Sequence, residues 1–160
     1  MSTVVVSSED VPLGPALRRA WVAYQQRLDA ALADAGFDDR RLPDGRVLRM
    51  CRDSPDTTIA RIGRELDITR QGAAKIVADL RDRGYVTVEP SPTSGREKAL
   101  ALTPRAHEYL AAIARAARAI EDEVEAQLGP EPLEALRRLL GALGAEENLR
   151  MRDYIIRKSL

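Results

Sequence analysis

Between Gly14 and Gly36 the apolar positions Leu17, Trp21, Tyr24 or Gln25, Leu28 and Leu32 recur every three or four residues, which predicts one amphipathic helix closed by Gly36. A polar connection over 38–44 leads to a shorter stripe, Val47, Leu48 and Cys51, that ends before Ser54-Pro55. Thr57 and Thr58 are N-cap candidates for a third helix, with Ile59, Ile62 and Leu66 on one face. After Asp67-Ile68, Thr69 is a second N-cap; it opens a fourth helix with Ala73, Ile76, Val77 and Leu80 as its buried stripe, closed by Gly84. Two helices joined by about three residues must cross steeply to bury both apolar faces, which is the helix-turn-helix arrangement. The period then changes. Tyr85 to Glu89 is a run of β-formers, 90–95 is dense in Pro, Ser and Gly, and alternation resumes from Arg96 to Leu102, so a β-hairpin with a long tip is expected. Two strands alone are marginal, so the hairpin must lean on the helices. Thr103-Pro104 starts a long helix with Leu110, Ile113, Ala117, Ile120, Val124 and Gln127 or Leu128 in register. Gly129-Pro130 ends it, and Leu133, Leu136, Leu139 or Leu140 and Leu143 mark a sixth helix ending near Gly144.

Composition narrows the functions available. The 160 residues carry 25 basic and 25 acidic side chains, and 22 of the basic ones are Arg. The zero balance conceals a mildly basic middle: residues 57–105 hold nine basic and six acidic groups, while both flanks are slightly acidic. A duplex-binding surface needs such an excess, since phosphate neutralisation supplies most non-specific affinity. A single cysteine, Cys51, excludes an internal disulfide and any Cys-cluster metal site, and a single histidine, His107, excludes a two-His motif. There is no Gly-rich phosphate loop and no placeable acid–base pair, so neither an enzyme nor a cofactor is expected. No apolar run reaches ~18 residues, and no cation precedes Val4–Val6, so neither a membrane span nor a secretory leader is expected, and the cytoplasm is the default location.

The string TIARIGRELDITRQGAAKIVADLRDRGYVTVEPSPTSGREKALALTPRAHEYL, Thr58 to Leu110, resembles the DNA-binding core of the MarR family of bacterial transcriptional regulators. In order it presents a helix, a tight turn, a recognition helix, a Leu-x-x-x-Gly-Tyr-Val exit, a wing and a Leu-Thr-Pro helix start. The resemblance implies a mainly α fold with a small β-hairpin wing, comprising a winged helix-turn-helix lobe and a helical dimerisation region. The corresponding division is an N-terminal arm at 1–13, N-terminal helices at 14–56, the DNA-binding domain at 57–103 and dimerisation helices at 104–160. It also implies an obligate homodimer. The residues point the same way: Ala111, Ala114, Ala117 and Ala126 on the long helix, and a Leu-rich last helix, are more apolar surface than one small chain can cover.

Away from its buried stripe the fourth helix offers Thr69, Arg70, Gln71, Ala74, Lys75 and Ala78. Arg70 and Lys75 can bond guanine acceptors, Gln71 adenine, and Ala74 a thymine methyl, while Thr69 suits phosphate. Gly72 in the first turn lowers helix stability and leaves room for a close sugar-phosphate approach. Family members often carry Asp-x-Arg at the wing tip; here the positions read Ser94-Gly95-Arg96, so the Arg is present without its acidic partner. Arg96 is the minor-groove candidate and Lys98 a phosphate candidate. In this family an effector pocket often lies between the dimerisation helices and the DNA-binding lobe. Trp21, Tyr24 and His107 are its candidates here for a small aromatic or anionic effector, with core packing the simpler role for the aromatics and a satisfied histidine for His107. Cys51, between Val47 and Leu48 on one side and Arg52 on the other, reads as a buried inert thiol. The expected function is a dimeric, sequence-specific regulator of a pseudo-palindromic operator on double-stranded DNA, in the sense of a repressor released by a small molecule. The alternatives are a winged-helix module for protein–protein contact, which Glu65, Asp67, Asp79 and Asp82 would serve, or a ligand-binding protein without DNA binding.

Overall fold

A computed structural model describes residues 12–91 and 98–144. Six helices and one hairpin follow each other as α1 (Leu13–Asp34), α2 (Asp44–Asp53), α3 (Ile59–Leu66), α4 (Arg70–Asp82), β1 (Val86–Pro90), β2 (Lys98–Leu102), α5 (Pro104–Leu128) and α6 (Pro130–Gly144). The helix ends are set by local chemistry. Thr58, Thr69 and Thr103 each accept a hydrogen bond from a backbone N–H of the first turn they cap, those of Arg61, Gly72 and Ala106. Thr57, the other cap candidate, is instead fully buried, and its hydroxyl donates to the carbonyls of Met50 and Ser54. Three helices stop on a left-handed residue, Gly36, Asp67 or Gly84, and the next amide returns to the carbonyl five residues back: Phe37 to Leu32, Ile68 to Gly63, Tyr85 to Leu80.

The turn between α3 and α4 is the three residues 67–69. Gly63 makes it possible, because a Cβ there would sit 3.2 Å from the Ile68 carbonyl oxygen and 3.7 Å from the Ala73 Cβ. β1 and β2 pair antiparallel with Val86 opposite Leu102 and Pro90 opposite Lys98, and the Leu100 amide donates to Thr57, which ties the hairpin to the start of α3. The core gathers Leu28 and Leu32 of α1, Val47, Leu48 and Cys51 of α2, Ile62, Leu66, Ala73, Val77 and Leu80 of the helix pair, and the inner face of α5. At its centre Tyr109 lies edge-on to Phe37 and tilted against Tyr85, with centroids 5.4 and 5.1 Å apart. Ile76, expected in the buried stripe, is only partly covered. No described helix is long and apolar enough to cross a membrane.

The outer surfaces are less complete. α6 buries none of its residues, and Leu136, Leu139, Leu140 and Leu143 are 42–58% exposed. Leu13, Trp21 and Val22 of α1 and Leu128 at the end of α5 are open as well. Of the alanines singled out on α5, Ala111, Ala114 and Ala126 face outward, while the core takes Ala106, Ala112 and Ala116.

Candidate nucleic-acid interface and effector hollow

Thr69, Arg70, Gln71 and Lys75 are exposed at the N-terminal end of α4, and Ala74 is half-buried beside them. Gln71 and Lys75 lie one turn apart on one face, as do Arg70 and Ala74. The helix N-terminus beneath them adds its own partial positive charge. Gly72 also has a packing role inside the protein: a Cβ there would meet Thr69 Oγ1 at 3.3 Å and the Ile68 side chain at 3.7 Å. Lys98 is exposed at the root of the wing. Arg96, with Ser94 and Gly95, lies outside the described residues.

A hollow of about 540 Å³ opens between α1, α2 and α5. Its walls include Trp21 and Tyr24 of α1, whose rings run near-parallel with centroids 6.2 Å apart, and Ile113 and Ala117 of α5. Three guanidinium groups, those of Arg40, Arg46 and Arg49, complete it. Arg40 is bound to Asp29 and Gln25 of α1, and Arg46 donates to the Glu65 carbonyl at the end of α3 (2.8 Å). Arg49 is exposed, lies where a Cβ on Gly45 would come within 3.3 Å of its guanidinium, and has no acidic partner among the described residues. An aromatic wall with an uncommitted guanidinium suits a small aromatic anion. Trp21 is therefore not a core residue of the protomer, being 46% exposed.

The model of the MarR family matches residues 39–97 of this chain. The HTH-type transcriptional repressor Rv2887 of Mycobacterium tuberculosis is 30% identical over 139 residues, spanning 87% of this chain and 98% of the relative. The chain belongs to the MarR family. The crystal structure of Rv2887 in complex with salicylic acid superposes with a TM-score of 0.58 over 85% of this chain and 98% of that one. Rv1404 of M. tuberculosis (20% identity, 88% and 97% covered, TM-score 0.71) and a mutant of S. aureus MepR bound to an oligodeoxyribonucleotide (16%, 85% and 98%, TM-score 0.59) share the fold. MarR-family proteins are dimeric, non-enzymatic DNA-binding regulators, and this chain is a transcriptional regulator of that kind.

Against the MarR layout, His107 departs from its expected place. It is exposed near the start of α5 and lines a different hollow of about 410 Å³, with Cys51, Glu89 and β2, away from Trp21 and Tyr24. The reason is helical phase: the hollow beside α1 is reached by Ile113 and Ala117, more than a turn further along. The Cys51 thiol is buried, and burial pushes its pKa up to about 11, which leaves it protonated and unreactive at neutral pH.

Sequence reasoning missed an ionic cluster at the C-terminal end of α4. Arg83 donates to both oxygens of Asp44 (2.8 and 2.9 Å), to Asp79 from Nε and Nη2 (2.9 and 2.6 Å) and to the Asp39 carbonyl (3.0 Å). Asp44 is 1% exposed at the first turn of α2. Burial opposes the Arg83 charge, but hydrogen bonds and attraction from Asp44 and then Asp79 outweigh it and raise the pKa above its ordinary value. Tyr85 donates to Asp39 (2.7 Å), and burial, then that bond, push its pKa up to about 12. The only signal in the sequence was the density of Asp and Arg over 38–44, which reads equally as a solvated connection.

Proposed function

We propose that the chain is a homodimeric cytoplasmic repressor that holds a pseudo-palindromic duplex and lets it go when a small aromatic carboxylate enters the hollow beside α1. Thr69, Arg70, Gln71, Ala74 and Lys75 read the major groove, with Thr69 on phosphate. Arg96 takes the minor groove and Lys98 a phosphate. Residues 57–103 form the DNA-binding lobe, and 14–56 with 104–160 the dimerisation region. The observation that carries the reading is the exposed Arg70-Gln71 pair with Lys75 at the entering end of a capped recognition helix. The protein-contact alternative weakens, because Asp79 is engaged by Arg41 and Arg83.

Selection from genomic fragments should recover a symmetric site with half-sites about one helical turn apart. Arg70→Ala is expected to cost roughly 1–3 kcal/mol on that site and to relax preference at one base pair per half-site, with binding falling steeply between ~50 and 200 mM salt. Recovery of only asymmetric sequence, or salt-independent binding, contradicts the reading.

For the hollow, salicylate is the probe, since it is the compound bound in the Rv2887 structure. It should perturb the fluorescence of Trp21, the single tryptophan. Arg49→Ala removes one charged hydrogen-bond donor, so affinity should drop about ten- to a hundredfold, the equivalent of 1.5–3 kcal/mol. Equal affinity of variant and wild type removes Arg49 from the site.

A further inference from the structure

The segment from Asp39 to Arg46 does two things at once. Its residues divide between two sides, alternating from 39 to 42. Arg40, Leu42, Gly45 and Arg46 wall the hollow. Asp39, Arg41 and Asp44 hold the recognition helix: Arg83 at the end of α4 takes Asp44 through both carboxylate oxygens and the Asp39 carbonyl, and Arg41 donates to Asp79 at 2.5 Å. Arg46 belongs to both sets, because its guanidinium also grips the last turn of α3 at the Glu65 carbonyl. Five bonds made by Arg83 use its full set of N–H donors, and its plane lies over the Tyr85 ring, 5.2 Å from the centroid. A rigid fork satisfied on every side has one position relative to its partners.

We infer that Arg83 is the positioning residue that couples the hollow to the recognition helix, locking α4 to the same eight-residue segment that an occupant of the hollow must touch. An anion drawn to the guanidinium groups competes with Asp29 and Gln25 for Arg40. Any shift of the 39–46 backbone that follows is passed to α4 through Arg83 and Arg41, and to α3 through Arg46. The coupling is a differential affinity: the occupant favours the segment position in which α4 is misplaced for DNA. This inference rests on the effector reading above.

The test uses the full-length protein, its selected operator and salicylate. Three quantities are measured for each variant: operator Kd, salicylate Kd without DNA from Trp21 fluorescence, and the factor by which saturating salicylate raises the operator Kd. That factor is a ratio within one variant, so a loss of stability alone does not move it. For wild type it should reach about tenfold or more, within the usual range of coupling between sites. Arg83→Lys keeps the charge but cannot grip Asp44, Asp79 and the Asp39 carbonyl together; the factor should fall below about threefold while salicylate Kd stays within about twofold. Arg41→Gln removes only the exposed arm to Asp79, preserves the core if Arg83→Lys fails to fold, and should at least halve the factor. A responsive wild type with equally responsive variants overturns the coupling role alone. A wild type whose operator affinity ignores salicylate overturns the effector reading, and the coupling with it.

Discussion

Leu136→Glu with Leu140→Glu should convert a dimer into a monomer that no longer holds its operator. Both side chains lie on α6, which buries none of its own residues in the protomer and packs chiefly along α5. They stand with Leu139 and Leu143 on a helix whose leucines are about half exposed, and α1 adds Leu13, Trp21 and Val22. A free chain would leave that surface in water, at about 25 cal/mol for each Å² of apolar area not covered. Two-fold symmetry repeats each substitution, so the interface would receive four carboxylates without partners. Each buried, unpaired charge costs several kcal/mol, and the dimer dissociation constant should rise by at least about a thousandfold. Sedimentation should then give the 17.6 kDa chain where wild type gives twice that mass. Operator binding should collapse further than dimerisation itself requires, because each half-site loses the effective concentration its neighbour provided. A double variant that still sediments as a dimer, or a wild type at 17.6 kDa, would place the interface elsewhere.

The same leucines show what the sequence could and could not carry. Caps and periodicity were legible, since they are local: Thr58, Thr69 and Thr103 each cap the helix expected of them, and Gly36 and Gly84 close theirs. The exposed tips of the recognition helix were legible for the same reason, being what the apolar stripe leaves over. The closeness of Trp21 and Tyr24 is legible from their spacing of three, but the hollow they line is not, because its cations come from 40–49, a segment that packs against α1 only in three dimensions. His107 was placed with them by nearness in the family layout, and helical phase sends it to another hollow. Tyr85 reads as a β-former yet is fully buried, and it spends its hydroxyl on Asp39, 46 positions earlier. The Arg83–Asp44 pair spans 39 positions, and nothing in the local pattern of either residue distinguishes it from a surface charge.

That pair carries the second large effect. Asp44→Ala should destabilise the native state by roughly 3 kcal/mol, the lower end of the range for removing one partner of a buried ion pair. The lower end applies because Arg83 keeps Asp79, which is 28% exposed and partly hydrated, and the Asp39 carbonyl. Two N–H groups of Arg83 would then point into the space left by a side chain that is 1% exposed, and the Arg41 amide would lose its acceptor at 2.9 Å. In urea the midpoint should move down with the slope unchanged, since the area exposed on unfolding is the same. The control is the apolar pair Asp44→Leu with Arg83→Met. It removes both charges together, and a buried ion pair exchanged for packed apolar groups is often neutral, so the part of the loss due to the stranded charge should return. The Arg41 amide still lacks its acceptor in that variant, which limits recovery by the cost of one unmet bond, about 1–3 kcal/mol at most. If Asp44→Ala unfolds at the wild-type midpoint, the pair contributes nothing to stability. If the apolar pair is as unstable as the two single losses added together, the cost lies in packing and not in the stranded charge. The single variant thus measures what the buried carboxylate does for Arg83, and the pair measures what the charges do for the fold.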